Sequence, residues 1–190
     1  MLTGLCRLID QKPRLMLLLL TIAAAGCDSS PADQQNSSDS SMQETGYIEG
    51  TIGDSQGQWL TLRRTFEGSA SSTGNFSSPM GTMTSYTLQG HEAKQFQIEN
   101  SVSISFTNMN GELIESGVNY FHSDDTWPFY GDNDGSVTIE ISELEVSDDV
   151  AQVVGRVTGR IYLMEGLTAE PDLSDYRDID LRFNVTAYRE

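Results

Sequence analysis

Cysteine is nearly absent from this chain, whose 190 residues include only Cys6 and Cys27. Neither a disulfide framework nor a thiolate metal site can be built from two such residues, so any fold must rest on its own core. Basic residues are scarce as well: 11 Lys and Arg stand against 28 Asp and Glu, a net charge of −17. A surface of that sign repels phosphate backbones and excludes nucleic acid as a partner. The only histidines are His91 and His122, and neither belongs to a zinc-binding pattern such as His-Glu-x-x-His. No apolar run reaches the roughly 20 residues that a membrane-spanning helix needs. There is no Gly-x-Ser-x-Gly element, no internal repeat, and no apolar face at helical spacing longer than two turns.

The longest uncharged apolar stretch is Leu15–Ala25, preceded by Arg7, Lys12 and Arg14 with Asp10 among them. A basic lead-in followed by a short apolar core is the pattern of an export signal. The stretch ends in Ala24-Ala25-Gly26-Cys27, which resembles the lipobox of bacterial lipoproteins. Two features depart from that family: Ala24 stands where Leu is favoured, and the lead-in is long. The resemblance implies that Cys27 receives diacylglycerol on its thiol and, after cleavage, an acyl chain such as palmitate on its new amino terminus. The competing explanation is an ordinary secretory signal that happens to end beside a cysteine. Against it, Cys27 is the only cysteine outside the removed part, and a lone thiol in an oxidising compartment is exposed to adventitious pairing. The resemblance places the chain in the cell envelope, held to a membrane by lipid and facing the periplasm. In enteric lipoproteins an Asp after the acylated cysteine, as Asp28 is here, tends to retain the protein at the inner membrane. That rule varies between bacterial groups, so inner and outer membrane both stay open.

From Asp28 to Thr45 the chain is almost wholly polar, with no aromatic and no β-branched aliphatic residue. Such a segment buries too little to offset its chain entropy. Residues 27–45 therefore read as a lipidated cysteine and a disordered tether, spanning on the order of 20–25 Å. Residues 46–190 read as a single domain large enough for a full core. Loss of residues 1–26 removes three basic residues and one acidic residue, which leaves a net charge of −19.

Within that domain the dominant period is two. Val102-Ser-Ile104-Ser-Phe106, Val137-Thr-Ile139-Glu-Ile141 and Ile179-Asp-Leu181-Arg-Phe183-Asn-Val185 alternate apolar with polar residues, as half-buried strands do. Weaker strand candidates are Tyr47–Ile52, Trp59–Arg64, Thr82–Leu88, Gln95–Glu99, Gly117–Phe121 and Val153–Leu163. Turn signals separate them at Gly53–Gly57, Asn108–Gly111, Gly131–Gly135 and Ser147–Asp149. Gly68–Gly81, rich in Ser, Gly and Thr, reads as a mobile loop or hairpin arm. The expectation is an all-β fold, an antiparallel β-sandwich or barrel of about eight to ten strands.

One region concentrates groups able to do chemistry, His122 to Gly135. Asp124, Asp125, Asp132 and Asp134 are oxygen donors of the kind calcium takes. Their spacing does not match an EF-hand, and Asx-turns account for the same residues, which makes the turn reading the preferred one. No resident cofactor is implied beyond that optional Ca²⁺. Tyr120, Trp127 and Tyr130 bring aromatic surface beside the acids, the combination by which β-modules hold sugars, although aromatic residues also fill cores. His122 with Ser123 and Asp124 superficially resembles a triad, but strand neighbours point to opposite faces. The chain thus reads as a lipid-anchored, non-enzymatic binding or scaffolding protein with an envelope protein or glycan as its partner. The alternatives are a carbohydrate-binding or sugar-processing module centred on residues 120–135, or a barrel holding a small apolar ligand.

Overall fold

The three clearly alternating segments all become strands. The computed structural model describes residues 41–79, 81–166 and 170–190, and these contain eleven β-strands and no helix. In chain order they are β1 (Ser41–Ile52), β2 (Ser55–Phe66), β3 (Ser69–Ser72), β4 (Gly74–Ser77), β5 (Met83–His91) and β6 (Ser101–Met109). There follow β7 (Glu112–Phe121), β8 (Phe129–Asp132), β9 (Val137–Ser147), β10 (Val150–Met164) and β11 (Pro171–Arg189). All belong to one sheet, antiparallel except where β4 runs parallel to β11. The sheet returns on itself through β2–β5 and β8–β10, so that β1, β2, β5, β6, β7, β8, β10 and β11 form a ragged ring.

Period-two patterning explains which face is inside. On β11, Ile179, Leu181, Phe183 and Val185 are buried while Asp180, Arg182 and Asn184 are exposed. Their inward side chains meet Ile104 and Phe106 of β6, Val153 and Val157 of β10, and Leu88 of β5 in one core. These side chains take up the inside of the ring, and the clefts described below open on its surface. The Asn110-Gly111 pair forms the β6–β7 turn with φ of 56° and 92°, the positive values that a two-residue hairpin turn demands.

Three boundaries differ from the sequence reading. Residues 41–45, assigned to the tether, belong to β1, and 41–44 pair with Leu62–Thr65 of β2. A ladder needs backbone groups rather than apolar side chains, so polarity hid this strand; Thr45, left over at a bulge, is buried with its hydroxyl on that of Thr61. Within Gly68–Gly81, β3 is the arm of a hairpin with β2, one of the two forms expected there, and β4 fits between β11 and β5, so the mobile-loop form does not hold. Gln95–Glu99 is not a strand but part of the β5–β6 loop; it folds over His91, whose Nδ1 lies 2.6 Å from the Gln97 carbonyl. Cys27 lies outside the described residues.

Candidate functional site

Two clefts share a wall at the end of the ring that carries the β1–β2 turn. Tyr120, near the end of β7, stands opposite Val102 on one side and Phe129 on the other. Its ring meets Trp59 edge-on, with centroids 6.3 Å apart and planes at 75°. Glycines make room for that indole. A Cβ on Gly57 would lie 2.6 Å from the Trp59 ring, and one on Gly90 would lie 2.6 Å from the Trp59 Cβ. Strand β2 can therefore carry its one tryptophan at the ring's end only because β5 and β2 both present bare backbone there.

The first cleft, about 250 Å³, is lined by Gln56, Gln58, Trp59, Glu92, Asn100 and Ser123 beside Tyr120 and His122. The second, about 550 Å³, lies between the β1–β2 turn and β11 and adds Asp54, Tyr176, Arg177 and Asp178 to the same Tyr120 and His122. The rim is fixed by hydrogen bonds. The Asn100 amide donates to Glu92 at 2.9 Å, and the Ser123 N–H donates to the Asn100 Oδ1 at 3.0 Å. Arg177 holds Asp175 at 2.6 Å while its guanidinium lies 4.4 Å from the Phe129 ring centroid. Burial pushes the Tyr120 hydroxyl above its ordinary range, the charges of Glu92 and Asp125 push the same way, and Arg177 opposes them. Tyr120 stays a neutral hydroxyl, able both to donate and to accept.

His122 is tied to its own loop. Its Nδ1 is 3.3 Å from the Asp125 carboxylate and also 3.3 Å from the Asp124 N–H. Without a hydrogen, Nδ1 accepts the Asp124 N–H, and with one it donates to Asp125. Among the described residues no serine or threonine hydroxyl is hydrogen-bonded to either histidine, so the triad geometry of a hydrolase is not assembled.

The residues singled out from the sequence go to three places. Tyr120 faces the clefts. Tyr130 stands on the opposite face of the sheet, because it pairs with Asn119 rather than Tyr120 and side chains alternate. There it lines an outer groove of about 330 Å³ with Ser85, Thr87, Ser105, Thr107 and Asp132. Burial first, then the charge of Asp132 and a hydrogen bond to it, raise the Tyr130 pKa. Trp127 sits in the β7–β8 loop, 38% exposed, and lines neither cleft. The three aromatics therefore do not form a common platform.

The four aspartates are split as well. Asp124 and Asp125 belong with His122, while Asp132 uses its Oδ1 to accept the Asp134 N–H at 3.1 Å, an Asx-turn. Among the described residues no three His, Cys, Asp or Glu side chains come together as a metal site. The convergence on calcium considered from the sequence is not formed, because Asp132 at the end of β8 and Asp134 in the turn after it are carried away from the loop that holds Asp124 and Asp125. Trp59, Gln58, Glu92, Asn100 and Arg177 were not singled out. They come from four separate stretches, and only Gly57, two residues before Trp59, hinted at a ring packed on backbone.

Comparison of the chain with protein-family models, with curated proteins and with solved structures finds no match in any of the three.

Proposed function

We propose that the chain is a bacterial lipoprotein, anchored in the cell envelope through lipid on Cys27, whose β-domain is a non-enzymatic binding module. The observation that carries the binding part is the pair of clefts around Tyr120. An aromatic floor is surrounded by neutral amides, carboxylates and one guanidinium held in place by hydrogen bonds. Such a site is equipped to orient a polar ligand, and it lacks an activated nucleophile. The anchor part rests on the Ala24-Ala25-Gly26-Cys27 element and the single cysteine of the exported chain.

A sugar ligand is favoured over other polar ligands by one feature. Tyr120 offers ring surface beside Gln56, Gln58, Glu92 and Asn100 in the first cleft, and shares the second with Tyr176; the amides and the carboxylate donate to and accept from hydroxyls without demanding a charged ligand. The site differs from the stretch 120–135 considered from the sequence, since only Tyr120, His122 and Ser123 of that stretch line it.

Separate measurements test the two parts. Cys27→Ser should move the protein from membrane to soluble fraction and abolish the mass gain of acylation; unchanged retention sinks the anchor. For the ligand, Trp127→Phe leaves Trp59 as the only indole of the exported chain. Titration with a panel of envelope oligosaccharides should then give a saturable change in its fluorescence, lost in Gln58→Ala. A flat response across the panel rules out the sugar reading and leaves the anchor untouched.

A further inference from the structure

Strand β9 continues the wall of the ring beyond β8, on the same edge of β10, and among the described residues its other edge is unpaired. It forms a ladder with β10 alone, whereas β8, which precedes it, pairs with both β7 and β10. The chain turns at Asp132–Ser136, where Asn133 bonds back to both backbone groups of Ser116. Beyond that point β7 and β9 approach each other but share no ladder, and residues 112–115 of β7 pair only with β6.

Exposure records the opening. On the core face of β9, Val137 is 4% exposed, Ile139, Ile141 and Leu144 are half-buried, and Val146 is 51% exposed. The facing strand does the same, from fully buried Val118 to Ile114 at 37%. Ser116, where the opening starts, is buried with a hydroxyl that has no hydrogen-bond partner among the described residues. The outer face of the seam has one sign of charge. Glu112 and Glu115 lie on β7 and Glu140, Glu143 and Glu145 on β9, and neither strand carries a Lys or Arg. Arg156 stands opposite Glu140 but is ion-paired to Asp180, and among the described residues none of the five glutamates forms an ion pair.

We infer that the free edge of β9 is a docking site for an extended segment of a partner in which lysine or arginine alternates with aliphatic residues. Such a segment adds one strand to the sheet by backbone hydrogen bonds. Its aliphatic side chains cover Ile141, Leu144 and Val146, and its basic side chains lie over Glu143 and Glu145. The charge selects this occupant over a second copy of the chain, because pairing β9 with β9 sets glutamates against glutamates. Charges on an edge also discourage self-association, and the two roles are compatible. A cation-bearing strand is the one kind that the glutamates attract.

The probe is a fluorescent peptide of alternating Lys and Val, about seven residues long and so spanning roughly 23 Å, titrated into the full chain. Saturable binding is expected, weakened at least tenfold by Glu143→Lys with Glu145→Lys. Circular dichroism checks that this variant folds; should it not, Glu143→Gln with Glu145→Gln gives a smaller loss in the same direction. Only alternate amides of an added strand face the edge. Methylating either the Lys or the Val amides should therefore abolish binding in one peptide and spare it in the other. Oligolysine binding equally well, both methylated peptides behaving alike, an unaffected charge-reversed variant, or no binding at all would each overturn the proposal. So would sedimentation showing that the chain pairs with itself through β9.

Discussion

The ring has two weak seams, and the chain treats them in opposite ways. Between β2 and β5 only one residue pair, Leu60 with His91, is in register. The seam is nevertheless sewn up. Thr73 is buried in the gap, donates its N–H to the Leu62 carbonyl and accepts the Leu62 N–H on its hydroxyl, both at 2.8 Å, while its carbonyl takes the Gln89 N–H at 2.7 Å. Strand β4 then fills the widening space between β5 and β11. Between β7 and β9 the stitch of Asn133 on Ser116 stands only at the mouth; beyond it no strand is inserted among the described residues, and the apolar row on β9 comes progressively into view. A splayed ladder is thus repairable by a single threonine and a four-residue strand. A seam left open beside such a repair is a surface of a different kind, with glutamates rather than hydroxyls along it.

The largest effect should come from breaking the short strand that closes the ring below the open seam. Phe129 of β8 is fully buried and stands opposite Tyr120 and Leu163. Phe129→Ala should cost about 3–5 kcal/mol, the usual range for emptying an aromatic site. Denaturant unfolding measures the loss, and hydrogen exchange should show β8 losing protection before β6. Loss below about 1 kcal/mol would mean that β8 contributes little to closure.

Next in size is the stitched seam. Thr73→Val keeps the shape and the backbone bonds but strands the Leu62 N–H in a buried place, which costs about 1–3 kcal/mol. That corresponds to a fall in Tm of several degrees for a domain of this size. The valine variant should also exchange the Leu62 amide faster, which a mere packing defect elsewhere would not do.

Neither seam was legible in the sequence, for physical reasons that differ. Alternation located β6, β9 and β11 because each buries one face; Ile179-Asp-Leu181-Arg-Phe183 shows it plainly. Asn110-Gly111 announced its own turn. Thr73, in contrast, lies in a run of Ser, Gly and Thr with no apolar period, and its role is to carry hydrogen bonds between strands far apart in the chain. The candidate site failed in part for the same reason. Tyr120 and Tyr130 are ten residues apart across a loop, and only the register of β7 on β8 reveals that they face opposite ways. Trp59 and Glu92 reach Tyr120 by the ring closure itself, which no local pattern encodes.

A third, smaller effect is a pH dependence on the stitched side. His91 pairs with Leu60 across that seam, and its Nε2 is buried without a hydrogen-bond partner among the described residues. Burial lowers its pKa from the ordinary 6.5, against the pull of the Gln97 carbonyl. The unfolded chain therefore binds a proton more readily than the native one. Stability is fully present above about pH 6.5 and declines as the pH falls from there towards the lowered native value, by at most about 1.4 kcal/mol per pH unit. The depressed Asp172 and Asp180 carboxyls titrate below 3.8 and act only at more acid pH. His91→Gln should flatten the stability profile between pH 7 and 5; an unchanged slope would mean that the proton is taken up elsewhere.

The smallest effect on folding should be found on the open side, at Val146. Half of this side chain is already in water, so Val146→Thr should shift stability by less than about 0.5 kcal/mol, as surface changes do. Its partner across the ladder makes the contrast, because Ala151 is wholly buried while Val146 beside it is not. The difference between the two seams then becomes measurable in one variant. If an added strand covers β9, the methyl that folding does not use is used in binding. Loss of one buried methyl is worth about 0.8 kcal/mol, or roughly fourfold in affinity. The alternating Lys/Val peptide should thus bind Val146→Thr about fourfold more weakly while Tm scarcely moves. Equal affinity with unchanged Tm would place the peptide off the core face of β9, and a fall in Tm to match would show that the open seam is packed after all.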